Sequence, residues 1–126
     1  MPKVIWKDAP EEHDYPAAES YLSLLATADK IGKIIEQLRN AHIEMFKVKD
    51  VIRASQLPLL GKDNFHVKRD MKKIEAKTPL TPLLLVRGVG LNHVPSTIAD
   101  GYHRACAVYW NNEDDFINAK VADWPL

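Results

Sequence analysis

The pair Asp100-Gly101 constrains this chain more than any other feature, because it stands between an apolar stretch ending at Ile98-Ala99 and the helical run YHRACAVYW. A strand must stop and a helix must start within two residues. Upstream, PLLLVRG reads as a second apolar strand with an abrupt glycine stop, so the two stretches are expected to pair as a long hairpin with GLNHVP between them. The helix is expected from Gly101 or Tyr102 to about Trp110. Within it Tyr102, Ala105, Cys106 and Tyr109 follow i, i+3, i+4 and i+7 spacing and form one packing face. His103 and Arg104 fall off that stripe.

Where a helix begins, the first backbone N–H groups lack intrahelical partners and can receive an anion. Gly101 carries no side chain to block close approach, Arg104 offers a planar fork of donors, and His103 adds a further donor. Gly101, Tyr102, His103 and Arg104 are therefore the candidate phosphate-binding residues. Asp100 has two competing tasks, to cap the helix or to hold a magnesium ion that accompanies phosphates. The plain alternative for the whole box is a structural cap beside a surface arginine.

The rest of the chain is mostly helical before Pro82 and strand-rich after it. Lys3 to Trp6 is a short strand candidate, and DAPEEHDYP reads as a loop. From Ala17 onward two helices are expected, divided near Thr27 to Asp29, the second carrying Ile31, Ile34, Ile35 and Leu38 on one face. A short helix is expected around Asp50 to Ala54, and another from Asp63 or Asn64 with Val67, Met71 and Ile74 facing inward. FINAKVADW closes the chain as a strand. At 126 residues, with 46% hydrophobic and 27% charged residues, the chain is expected to form one α+β domain over residues 1–126, with a small mixed sheet and several helices.

PLLLVRG, GLNHVPST, IADGYHRACAVY and AKVADW together resemble the ParB/sulfiredoxin superfamily, in which a strand pair leads into a Gly-x-x-Arg helix and a further strand follows. The resemblance covers residues 80 to 124. ParB amino-terminal domains bind CTP at a Gly-Glu-Arg-Arg box, sulfiredoxins use ATP at Gly-Cys-His-Arg, and free-serine kinases carry Asp-Gly-His-His-Arg. The box here, Asp100-Gly101-Tyr102-His103-Arg104, is most similar to the last. The resemblance implies phosphates of ATP or CTP at the helix start, Mg2+ at Asp100, and a glutamate from the amino-terminal part as base, for which Glu19 is the candidate. His13 and Asp14 are near it in sequence and can line the same pocket. Tyr102 stands where sulfiredoxins have their cysteine, which argues against reductase activity. No DNA-binding helix-turn-helix is expected after Leu126, so a complete partitioning protein is not expected either.

The function expected is thus a nucleotide-binding or phosphate-ligand-binding domain, acting as a phosphotransferase or nucleotide hydrolase on a small molecule. The alternative is a noncatalytic nucleotide-sensing or protein-interaction module associated with nucleic-acid machinery. Lys plus Arg and Asp plus Glu both total 17, so no global field draws the protein to a phosphate backbone. The basic stretch Lys62, Lys68, Arg69, Lys72, Lys73 and Lys77 is interrupted by Asp70 and Glu75 and lacks aromatic interleaving, which argues against nucleic acid as a partner of the isolated domain. His13, His42, His66, His93 and His103 lack the spacing of a structural zinc site. A single cysteine, Cys106, and no apolar run near the about 20 residues that span a bilayer lead to a cytoplasmic expectation without a membrane partner. A homo-oligomer is compatible with all of this.

Overall fold

A computed structural model describes residues 1–88 and 94–125. Four consecutive apolar residues dictate its layers. Leu83, Leu84, Leu85 and Val86 occupy strand β2 (Leu83–Arg87), and side chains alternate across a strand, so both faces of β2 must be covered. Leu83 and Leu85 join a core with Val48, Val67, Ile74, Ala105 and Ile117. Leu84 and Val86 join a second core with Ala18, Leu22, Ile34 and Leu38. Helices α1 (Asp14–Leu22) and α2 (Ala28–Asn40) cover one face, and α3 (Val48–Ser55), α4 (Phe65–Glu75) and α5 (Tyr102–Asn111) the other.

The sheet between them has the order β1-β4-β2-β3, with β1 (Glu44–Lys47), β3 (Thr97–Asp100) and β4 (Phe116–Asp123). β4 runs parallel to β2 and antiparallel to β1, while β2 and β3 are antiparallel. This is the expected α+β arrangement with a small mixed sheet. Among the described residues it has four strands and five helices, and no helix is long and apolar enough to cross a membrane.

Local chemistry accounts for most boundaries. Thr27, extended, stands at the N-cap of α2 where the division was expected, although its side chain makes no capping hydrogen bond. Ile31, Ile34, Ile35 and Leu38 are all buried. Asn64 caps α4 by accepting hydrogen bonds from the His66 and Val67 N–H groups at 3.0 and 3.2 Å.

Three expectations change. Helix α1 starts at Asp14 rather than Ala17, because Pro16 is compatible with a first turn and Asp14 favours the positive end of a helix. Lys3 to Trp6 forms no strand; it makes one bridge, Trp6 to Leu80, flanked by 2.8 Å bonds from Lys7 N to Leu80 O and from Leu80 N to Ile5 O. β1 was not read from sequence, since three of its four residues are exposed and no apolar alternation marks it. Pairing with β4 makes it a strand.

The β2–β3 hairpin forms as expected, and its connecting residues 89–93, which include His93 and most of GLNHVP, lie outside the described residues. Leu85 faces Ile98 whereas Leu84 faces Asp100, leaving Ala99 as an extra residue. Such a bulge turns the strand just before the junction.

Leu84 has no exposed surface, so Leu84→Ala is expected to destabilise the fold by about 2–5 kcal/mol in denaturant titration. Leu24→Ala, at a position 82% exposed, is expected to change stability by no more than about 0.5 kcal/mol.

Candidate functional site

Bulge, glycine and helix start place the Asp100 to Arg104 box on the wall of a cavity of about 530 Å3. Four elements close around it: the β3–α5 junction, the first turn of α1, the middle of α4, and the segment Thr78 to Thr81. Lys7 and Glu11, an ion pair one helical turn apart in sequence, stand at the rim.

Gly101 is the N-cap of α5 with φ +107°, a left-handed conformation that residues with a side chain adopt at a cost. A Cβ there would lie 2.6 Å from Leu83 Cγ and 2.7 Å from Arg104 Nη2. Glycine thus lets the chain turn and lets the Arg104 guanidinium lie against the junction. No side chain caps α5. Of the two tasks weighed for Asp100, capping is not the one it performs.

Instead, Arg104 Nη2 donates to Asp100 Oδ2 at 3.0 Å, and the two side chains are only 18% and 17% exposed. Burial raises the Asp100 carboxyl above its ordinary range; the charge and hydrogen bond of Arg104 oppose this without cancelling it, and nearby Asp14 adds to the rise. Arg104 Nε is buried without a hydrogen-bond partner among the described residues. One end of this guanidinium is held while another donor has no acceptor.

Opposite the junction, Asp14 is 5% exposed. Its Oδ2 accepts the Glu11 N–H at 2.9 Å, and its Oδ1 lies 3.5 Å from His13 Nε2. α4 contributes Arg69, Asp70 and Lys73, with Lys73 three residues after Asp70 and four after Arg69; Asp70 is buried and stands 3.9 Å from Lys73 Nζ. His103 packs against His66 with ring centroids 4.7 Å apart. Burial, and then the neighbouring His66, push the His103 imidazole below its ordinary value, so it is neutral at pH 7.

Gly101, His103, Arg104 and Asp100 therefore share one cavity wall. Tyr102 contributes its backbone to the first turn, but its hydroxyl donates to the Pro58 carbonyl and its ring packs on the core. Glu19 is exposed and does not line the cavity, because five helical residues place it about 140° around α1 from Asp14. Cys106 is fully buried, which raises its thiol pKa.

Lys7, Glu11, Arg69, Asp70 and Lys73 were not sequence candidates for this site. The helical spacing of the last three is legible, but only the packing of α4 on α5 tells that their face meets the junction. Among the described residues no group of three or more His, Cys, Asp or Glu is placed to hold a metal ion unaided. Compared with protein-family models, curated proteins and solved structures, the chain matches none.

Gly101→Ala is expected to lower stability by about 1–3 kcal/mol in thermal or denaturant unfolding, since the added methyl meets both Leu83 and Arg104. For His103, a lowered folded pKa means that the unfolded chain takes up the proton first as pH falls. Its contribution is complete above the unfolded value of about 6.5 and is lost as pH drops through and below it. NMR titration of the imidazole is expected to give a midpoint below that of a model histidine.

Proposed function

We propose that the cavity beside Gly101 binds the phosphates of a nucleoside triphosphate, ATP or CTP, or of another phosphorylated small molecule, in a domain of ParB/sulfiredoxin-like architecture. The observation that carries this reading is the left-handed Gly101 at an uncapped helix start, which opens onto a cavity also lined by Arg69, Lys73 and Arg104. Helix-start N–H groups, one glycine and arginine forks are the donor set that phosphate oxygens require. A volume of about 530 Å3 suits a small-molecule ligand.

The charges lining the cavity favour a metal-bound nucleotide. Lys7, Arg69, Lys73 and Arg104 are matched by Glu11, Asp14, Asp70 and Asp100, so a bare polyanion meets repulsion as well as attraction. Asp100 supplies hard oxygen donors that suit Mg2+, which characteristically binds through one or two carboxylates together with substrate phosphates. Bound Mg2+ would neutralise charge on the phosphates. Arg104 and the first turn of α5 would orient them, and Arg69 and Lys73 would approach from α4.

Transfer to a hydroxyl acceptor requires a proton acceptor. Resemblance assigns this to Glu19, whereas position favours Asp14, which is buried at the cavity and held by the Glu11 N–H. Turnover to a phosphorylated product supports the phosphotransferase form of the reading, and release of inorganic phosphate without an acceptor supports a hydrolase. Binding without turnover assigns the chain to the nucleotide-sensing form.

Titration calorimetry with ATP, CTP, GTP and ADP is expected to show binding that strengthens when Mg2+ is present. Arg69→Ala, on the exposed side of α4, is expected to weaken it about tenfold or more with unchanged thermal stability. Absence of binding across the panel overturns the reading.

A further inference from the structure

Beside the cavity lies a row of rings of which core packing accounts for Tyr102 but not for Phe65. Phe65, the first residue of α4, is 72% exposed. Its ring meets His66 edge-on with centroids 5.4 Å apart, His66 meets His103 at 4.7 Å, and His103 meets Tyr102 at 5.7 Å. His103 belongs both to this row and to the cavity wall. A large apolar ring exposed on its own is unremarkable, but one that extends an aromatic row out of a polar cavity makes a surface of mixed character.

The helix sets the spacing. Arg69 and Asp70, which line the cavity, stand four residues after Phe65 and His66, so each ring lies about one helical turn, roughly 5.4 Å along the axis, from a polar group of the cavity. The Phe65 and His66 rings stand at 85° to each other, so a flat group lies face-on to one of them, and a ligand whose charged end sits among Arg69, Lys73 and Arg104 would extend its flat, uncharged end over the exposed Phe65. Phosphate alone has no such end. A nucleotide does, with a π face that stacks on aromatic side chains whatever the base.

Building on the proposed phosphate site, we infer that Phe65, with the His66 ring perpendicular beside it, forms a base-stacking platform for a mononucleotide whose phosphates lie in the cavity at Asp100 to Arg104. The platform selects nucleotides over other phosphorylated molecules of similar charge. Stacking is tolerant of base identity, so discrimination among ATP, CTP and GTP by this surface is weak. Phe65 stands between Lys62 and Lys68, an aromatic residue within the basic stretch that was expected to lack one, but a single exposed ring at one end of a helix suits one base rather than a strand.

The test compares ATP with inorganic tripolyphosphate, both with Mg2+, on the wild-type chain and on Phe65→Ala and Phe65→Tyr. Because Phe65 is exposed at a helix start, Phe65→Ala is expected to retain the wild-type melting temperature. The expected result is a loss of about tenfold in ATP affinity for Phe65→Ala, wild-type affinity for Phe65→Tyr, and unchanged tripolyphosphate affinity throughout. Equal ATP affinity in wild type and Phe65→Ala, with tripolyphosphate bound, overturns the platform and leaves the phosphate site standing. Failure of wild type to bind either ligand overturns the phosphate site and the platform with it. Tighter, Phe65-dependent binding of a thymidine oligonucleotide than of ATP overturns the assignment to a single base.

Discussion

The burial of β2 on both faces is the constraint from which the remaining structure follows. A strand reading Leu-Leu-Leu-Val has no side to turn to water, so helices must cover both faces of the sheet. α1 and α2 take one side, α3, α4 and α5 the other, and β3 stands at the sheet edge next to β2. The carboxyl end of β3 is consequently where the two helical layers meet. α1 delivers His13 and Asp14 there from one side, and α4 delivers Arg69, Asp70 and Lys73 from the other. The cavity is a result of layering, and the residues around it come from segments as far apart in sequence as Lys7 and Arg104.

Within that cavity the Asp100–Arg104 pair decides the electrostatics. Both side chains are largely removed from water, and desolvation of the carboxylate outweighs the stabilising charge of its partner. A buried pair of this kind contributes little net stability, yet removal of one member strands the other. Its structural effect is to keep the guanidinium folded over the junction, in the space that a side chain at position 101 would fill. Substrate phosphate would compete with Asp100 for the same donors, and a divalent cation would compete with Arg104 for the same carboxylate. Under the proposed function, a ligand bringing both at once would exchange one satisfied pair for two, which would favour a magnesium-bound nucleotide over either component alone.

Much of this arrangement was legible in the sequence because it depends on local rules. The helical face of Ile31, Ile34, Ile35 and Leu38, the Asn64 cap, the β2–β3 pairing and the strand-to-helix turn at Gly101 each follow from a spacing or a residue type within a few positions. What escaped was set at long range. β1 has no apolar alternation and exists through its pairing with β4, and Lys3 to Trp6 among the described residues makes one isolated bridge, Trp6 to Leu80, in place of a strand. At the site, the box at residues 100–104 was visible, but the Arg69, Asp70 and Lys73 face looked like an ordinary solvated stripe until α4 packed against α5. Tyr102 illustrates the same limit: its place in the box is local, while the direction of its hydroxyl depends on Pro58, 44 residues away.

Several departures from low-energy choices coincide between Ala99 and Arg104. The strand carries an extra residue, the next glycine is left-handed, the helix lacks a side-chain cap, a carboxylate is desolvated, and a guanidinium nitrogen is buried without an acceptor. The desolvated carboxylate and the unpartnered guanidinium nitrogen work against stability, whereas glycine meets the left-handed turn at little cost. Elsewhere departures also occur but lie apart in sequence: Gln56 and Lys77 are left-handed, Trp124 Nε1 is buried without a partner among the described residues, and Asp14 and Asp70 are buried carboxylates. The gathering of departures into six residues at the wall of one cavity is the feature that supports the proposed phosphate site over a structural cap alone.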